Sequence, residues 1–227
     1  MTIAQRYERV REHVAAAAAR AGRDPSGVTI VAVSKTWPAD VVARAAEAGV
    51  AVFGENRAQE LKEKHAVLGS RVAWHFVGPL QSNKVRAVVG VAELVHSVDR
   101  YGLGEAIARR ARALGIVQDV LVEVNVGGEA TKHGVEPAGA ARLAEEVAAL
   151  EGVSVTGLMT IPPRAGDPEE TRRYFRDLAG LRDAVAASVP EIRELSMGMS
   201  ADYEQAIEEG ATIVRVGEAI FGPRHTG

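Results

Sequence analysis

Eight short apolar runs, each followed by a segment that reads as a helix or a helical turn, divide this chain from residue 28 to its end. The runs are VTIVAVS (28–34), AVFGEN (51–56), RVAWHFVG (71–78), AELVHSV (92–98), VQDVLVEVNV (117–126), VSVTGLMTI (153–161), IRELSMG (192–198) and TIVRVG (212–217). Several are near-continuous in valine, isoleucine and leucine, as suits parallel strands buried on both faces. The segments between them predict helices near 39–48, 57–68, 83–88, 100–114, 137–150, 168–187 and 201–209. Strands alternating with helices pair in parallel through crossovers. Eight such units in about 200 residues predict an α/β fold, a single-domain (β/α)8 TIM barrel at the compact end of its range. A doubly wound open sheet is the alternative. No composition shift or linker marks a boundary, so residues 1–227 read as one domain. Ahead of the first strand, Ile3, Tyr7, Val10 and Val14 recur at helical spacing.

Composition narrows the class. Of 227 residues, 47% are hydrophobic and 25% charged, which is ordinary for a soluble globular protein. A net charge of −3 argues against a broad nucleic-acid-binding surface. With no cysteine there is no disulfide framework and no thiolate metal site, in keeping with a cytoplasmic protein. No apolar run approaches the ~20 residues of a membrane span, and charges interrupt the N-terminal segment where a signal peptide would be apolar.

A barrel places its chemistry at the carboxyl ends of its strands. The first run ends there on Lys35. Only five of the 27 cations are lysines (35, 62, 64, 84 and 132). A lysine can lose its proton and attack a carbonyl, as arginine cannot. The same rim carries Glu55–Asn56, His75 to Gly78, Asn125, Met159–Thr160, Ser196 to Ser200 and Arg215 to Glu218. In LSMGMS and RVGEAIFG, serines and glycines precede helical turns in the last two units, where barrels often hold a phosphate on backbone N–H groups. Ser200 also fits an ordinary helix N-cap. Arg215 shares a strand face with Ile213, and if buried it needs a carboxylate or a ligand. His75 and His96, beside apolar strands, read as packed or hydrogen-bonded residues, because the six histidines lack metal-ligand spacing. GLGEAI (102–107) lacks the third glycine of a dinucleotide loop, and no P-loop or nucleophile elbow is present. A lysine amine, a phosphate cradle and an arginine on one rim suit either a sugar phosphate or pyridoxal 5′-phosphate (PLP), each bound through its carbonyl.

The motifs AVSKTWP, FGENRAQE, WHFVGPLQSNK, GLMTIP and LSMGMSADYEQAIEEGATIVRVGEAIFG occur in the order seen in the pyridoxal phosphate homeostasis protein family, which this chain resembles from about residue 3 to 222. The resemblance implies an alanine-racemase-like barrel without that enzyme's second domain. It implies that Lys35 forms the aldimine with PLP and that Asn56 lies beside the ring's 3-hydroxyl. Ser200, Gly217 and the backbone of Glu218 would hold the phosphate, with Met199 nearby, and Arg215 would face the pyridine nitrogen. Two positions depart from the family. Arg57 replaces a more usual aromatic, and Glu218 a more usual threonine or serine. A carboxylate facing a phosphate repels it, so Glu218 is expected to offer only its N–H.

The resemblance further implies a cytoplasmic, monomeric carrier or regulator of PLP, with PLP-dependent apoenzymes or amino acids as further partners and neither nucleic acid nor membrane. Opposite a ring nitrogen, an arginine supplies no transferable proton, which weakens carbanion chemistry. None of the four tyrosines (7, 101, 174 and 203) sits in a motif that would supply a racemase's second base. A PLP-dependent amino-acid racemase of low activity remains the enzyme alternative. Lys84 and Lys132 are candidate secondary amines for passing the cofactor on.

Overall fold

A computed structural model describes residues 1–129, 131–163 and 165–223. Its strands are β1 (Thr29–Val33), β2 (Val52–Glu55), β3 (Ala73–Phe76), β4 (Leu94–Val98), β5 (Gln118–Glu123), β6 (Val153–Met159), β7 (Glu194–Ser196) and β8 (Ile213–Val216). Each pairs in parallel with its neighbours in chain order, and β8 returns to β1 with Thr29 opposite Ile213 and Ala32 opposite Val216. That closure rules out the open sheet. The helices are α1 (Ile3–Arg20), α2 (Ala39–Glu47), α3 (Ala58–Leu68), α4 (Val85–Val88), α5 (Tyr101–Leu114), α6 (Pro137–Ala148), α7 (Arg172–Val185), α8 (Tyr203–Glu208) and α9 (Glu218–Phe221). Among the described residues no helix is long and apolar enough to cross a membrane.

Two apolar layers follow from strand alternation. Val31, Val77, Leu94, Leu121, Met159 and Ile213 form a cluster of their own inside the barrel. Their outward neighbours, such as Ala32, Val95, Val120 and Val214, join the larger cluster between sheet and helices. Arg215 thus projects on the inward face with Ile213, as the spacing suggests.

β8 is followed by only the single turn α9, so it supplies no full-length helix to the outer ring. α1 fills that place, burying Val10, Val14, Ala17 and Ala18 and packing on α8 and α9. Arg20 pairs with Glu204 and Glu208 of α8, and Arg6 donates to the Phe221 carbonyl at 3.2 Å. The span expected as one helix over 168–187 begins instead as a tight turn, Pro168–Thr171. There the Asp167 carboxylate takes the Glu169 N–H before α7 starts. Arg164, in the loop expected over 162–170, and Ala130, beyond Gly127–Gly128, lie outside the described residues.

Candidate functional site

At the carboxyl ends of β1, β7 and β8 a cavity of about 310 Å³ opens, within the range of small-ligand sites. Lys35, Asn56, Met199, Ser200, Arg215, Gly217 and Glu218 all line it. These seven come from four separate segments of the chain. Trp37 and Ile161, which the motifs did not single out as site residues, line it as well. Trp37 is held in place by stacking on Phe221, with ring centroids 5.9 Å apart. Lys84 and Lys132 lie outside the lining, and the Lys132 ammonium is engaged by Glu129 at 3.1 Å and the Pro162 carbonyl at 3.3 Å.

Lys35 is half-buried at the first position beyond Ser34, in a turn whose next residue, Thr36, has φ +70°. A β-branched side chain in the left-handed region is strained. The surroundings hold it there. The Thr36 N–H donates to Glu60 Oε2 at 2.7 Å, and Lys64 Nζ donates to the Ser34 carbonyl at 2.8 Å. Lys64 also reaches Glu55 Oε1 at 2.6 Å and Glu60 Oε2 at 3.2 Å. The Ser34 hydroxyl donates to the same Glu55 oxygen at 2.5 Å. One turn of α3 therefore fixes the backbone on both sides of Lys35. Burial pushes the Glu55 carboxyl up against the pull of Lys64 and Ser34. Burial also opposes ionisation of Glu60, but the Thr36 N–H, Lys64 and Arg57 outweigh it and hold its carboxyl below the usual range.

Arg215 is almost fully buried, and its hydrogen bonds go to neutral oxygens. Nη1 donates to Ser196 Oγ at 2.5 Å and Nη2 to the Thr160 carbonyl at 2.7 Å. The carboxylates of Glu123 and Asp202 act on it only at longer range. Burial depresses the guanidinium to about 10 against their field. Beyond Ser196 a buried chain continues: His96 Nδ1 lies 2.9 Å from Ser196 Oγ, and His96 Nε2 lies 3.0 Å from His75 Nδ1. Burial lowers both imidazoles, His75 to about 4, so the pair is neutral at pH 7. The assignment that satisfies every group runs one way. Arg215 donates to Ser196, whose hydroxyl donates to His96 Nδ1, and His96 Nε2–H donates to His75 Nδ1. The histidines are thus hydrogen-bonded core residues, as the spacing suggested. Ser196, which read as part of a phosphate rim, faces the barrel interior instead, because it is the last residue of β7 and takes the inward register.

Glu123 lies near this chain with its carboxyl pushed up to about 7 by burial, reinforced by Asp99 and opposed by Arg215. The folded state keeps a proton that the unfolded chain releases near its ordinary value of 4.5. The stabilisation is complete below about pH 4.5 and is lost as pH rises through about 7, some 3 kcal/mol in all. Urea denaturation of wild type and Glu123→Gln tests this. The stability difference between them should fall by about 3 kcal/mol from pH 4.5 to pH 8, and a pH-independent difference would contradict it.

On the opposite side of the cavity, Ser200 Oγ accepts the N–H groups of Gly217 at 3.2 Å and Ala219 at 3.3 Å. It therefore caps α9 from a distance rather than its own helix. Asp202, the residue before α8, turns its carboxylate back to the loop and accepts the Met199 N–H at 2.7 Å rather than capping that helix. That leaves Met199 only its side chain to offer the site. A Cβ on Gly217 would stand 3.2 Å from the Val33 carbonyl, so glycine lets β8 lie close over β1. A Cβ on Gly78 would meet the Asn56 carbonyl at 2.4 Å, so the glycine of WHFVG seats Asn56 at the cavity wall.

Residues 6–225 match the family model described as alanine racemase, N-terminal domain. A pyridoxal phosphate homeostasis protein from Aquifex aeolicus is 48% identical over 226 residues, covering 99% of each chain. The chain belongs to the pyridoxal phosphate homeostasis protein family. Its Escherichia coli K12 relative of the same name is 40% identical, covering 98% of this chain and 97% of that one. The solved structure of PipY from Synechococcus elongatus with PLP bound superposes with a TM-score of 0.84 at 34% identity. It covers 97% of this chain and all of the other.

Proposed function

We propose that this protein binds PLP in the rim cavity as a Schiff base on Lys35 and serves intracellular PLP homeostasis as a carrier or regulator. In this proposal residues 1–227 form one cofactor-binding domain that acts as a cytoplasmic monomer without a nucleic-acid or membrane partner. PLP-dependent apoenzymes or amino acids receive the cofactor. One observation carries it: the residues nominated in or after β1, β2, β7 and β8, four segments far apart in the chain, line one cavity. Family membership and the PLP named for PipY support the same ligand.

The residues present fit the group. Lys35 offers an amine at the cavity wall, and the Ser200 hydroxyl, whose oxygen already accepts the Gly217 and Ala219 N–H groups, would join the Glu218 N–H in a neutral cradle for a phosphate. Asn56 supplies an amide, and Arg215 a buried donor. PLP, when bound, supplies an aldehyde to the lysine and an electron-withdrawing ring. A protonated Arg215 offers that ring a hydrogen bond and no transferable proton. Among the described residues none of the four tyrosines lines the cavity, and Lys35 is the only lysine that does. Apart from Lys35 and the buried Arg215, the ionisable side chain in the lining is Glu218, at its exposed edge, and this favours carrier over enzyme. Glu218 is exposed at the edge of the cavity, where its charge is solvated.

Incubation with PLP followed by gel filtration tests the binding. About one PLP per chain should co-elute with the protein, and elution of all cofactor with the small molecules would sink the proposal. Solvent deuterium uptake at Cα of an amino acid, abolished by Lys35→Ala, would favour the racemase instead.

A further inference from the structure

A second cavity, of about 620 Å³, lies beside the first over the carboxyl ends of β2 to β4. Asn56 lines both. Its floor is apolar, with Phe76, Leu80 and Ala87, while Arg57, Lys62, Lys84 and Arg100 stand around its edge. In a chain of net charge −3, four cations here face one carboxylate, Asp99. That carboxylate is spent on Arg100 at 2.5 Å. Arg57 makes only a loose contact with Glu60, at 3.4 Å. Lys62 and Lys84 are exposed, and their side chains form no ion pair or hydrogen bond among the described residues. A chain with five lysines thus aims two partnerless ammonium groups at one partly apolar cleft.

We propose that this cleft is a second binding site, for a small organic anion with an apolar body and a phosphate or carboxylate head. The cations hold the head, and Phe76 and Leu80 the body. Charge focused over a low-dielectric wall strengthens such contacts. The site is distinct from the phosphate cradle of Ser200 and Gly217, which lies on the β7–β8 side of Lys35. Because Asn56 belongs to both walls, occupancy of the cleft is coupled to occupancy of the neighbouring cavity, in equal measure both ways. Only the identity of that neighbour as the PLP site rests on the function proposed above.

The test uses protein loaded with PLP and reduced with borohydride, so that the first cavity stays filled, alongside unloaded protein. Calorimetric titrations compare phenyl phosphate, phenylacetate and inorganic phosphate. At least one aromatic anion should bind saturably to the loaded protein, more tightly than inorganic phosphate because of the apolar floor. The tighter of the two names the head group. Lys62→Gln/Lys84→Gln, at exposed positions that cost the fold nothing, should weaken it at least tenfold. Raised ionic strength should weaken it too. Absence of saturable binding to both forms, or an affinity unchanged in the double variant, would overturn the site. Failure of PLP to load is a separate result: it removes the proposed function but leaves the comparison of unloaded wild type with the double variant to decide the cleft.

Discussion

Lys64→Met is expected to cost about 3–5 kcal/mol of stability, lowering Tm by about 10 °C for a chain of this size. Lys64 is buried to 3% exposure, and its ammonium meets Glu55, Glu60 and the Ser34 carbonyl at once. Taking one partner from a buried ion pair leaves an uncompensated charge behind. Glu55 is badly placed to bear it, since its second oxygen, Oε2, already has no hydrogen-bond partner. The Ser34 carbonyl loses one of its two donors and keeps the Trp37 N–H at 3.1 Å, in a turn whose threonine stands at φ +70°. Glu55→Gln/Lys64→Met removes the stranded charge and should recover part of the loss. Calorimetric melting of the three proteins measures this. A shift of under about 2 °C in the single variant would mean that the network contributes little to the fold.

Lys35→Ala is expected to act in the opposite way, abolishing covalent retention of PLP while leaving the fold intact. Lys35 is half-buried at the rim of a cavity, and backbone groups of its neighbours on either side hold the turn that carries it. Circular dichroism and melting should match wild type within a few degrees. Equilibrium dialysis should show PLP held only by the phosphate cradle and Arg215, and borohydride should fix none of it. Undiminished borohydride-stable PLP in this variant would place the covalent site on another lysine.

The barrel was legible in the sequence because strand and helix periods alternate eight times with short connections, and closed parallel sheets are among few ways to bury such strands. The site was legible in part from polar residues on apolar runs: Lys35 and Asn56 at the ends of theirs and Arg215 within one line the cavity, whereas Asn125 and Thr160 at other ends do not. What could not be read depends on three-dimensional register. Lys64 and Glu60 sit on an amphipathic helix as ordinary charged residues, and only the packing of α3 against the β1 turn makes them a clamp. The excess of suspicion that scarce lysines attract fell equally on Lys35 and Lys64, which share little else. Ser196 and Ser200 are four residues apart in one motif, yet one faces the barrel interior and the other the helix α9. That division follows from where β7 ends, which pattern alone places only to within a few residues. Arg215 needed a carboxylate or a ligand and found a serine hydroxyl and a carbonyl within hydrogen-bond reach, with Glu123 and Asp202 acting only at longer range. The left-handed backbone of Thr36 carries no sequence signal, since threonine is a poor choice for that conformation.

Borohydride reduction of wild-type protein incubated with PLP, followed by proteolysis and peptide mass spectrometry, tests the central claim most directly. The account predicts one pyridoxyl phosphate adduct per chain, on the peptide containing Lys35. A folded protein that gives no adduct there, or carries it on Lys62, Lys64, Lys84 or Lys132 instead, would contradict it.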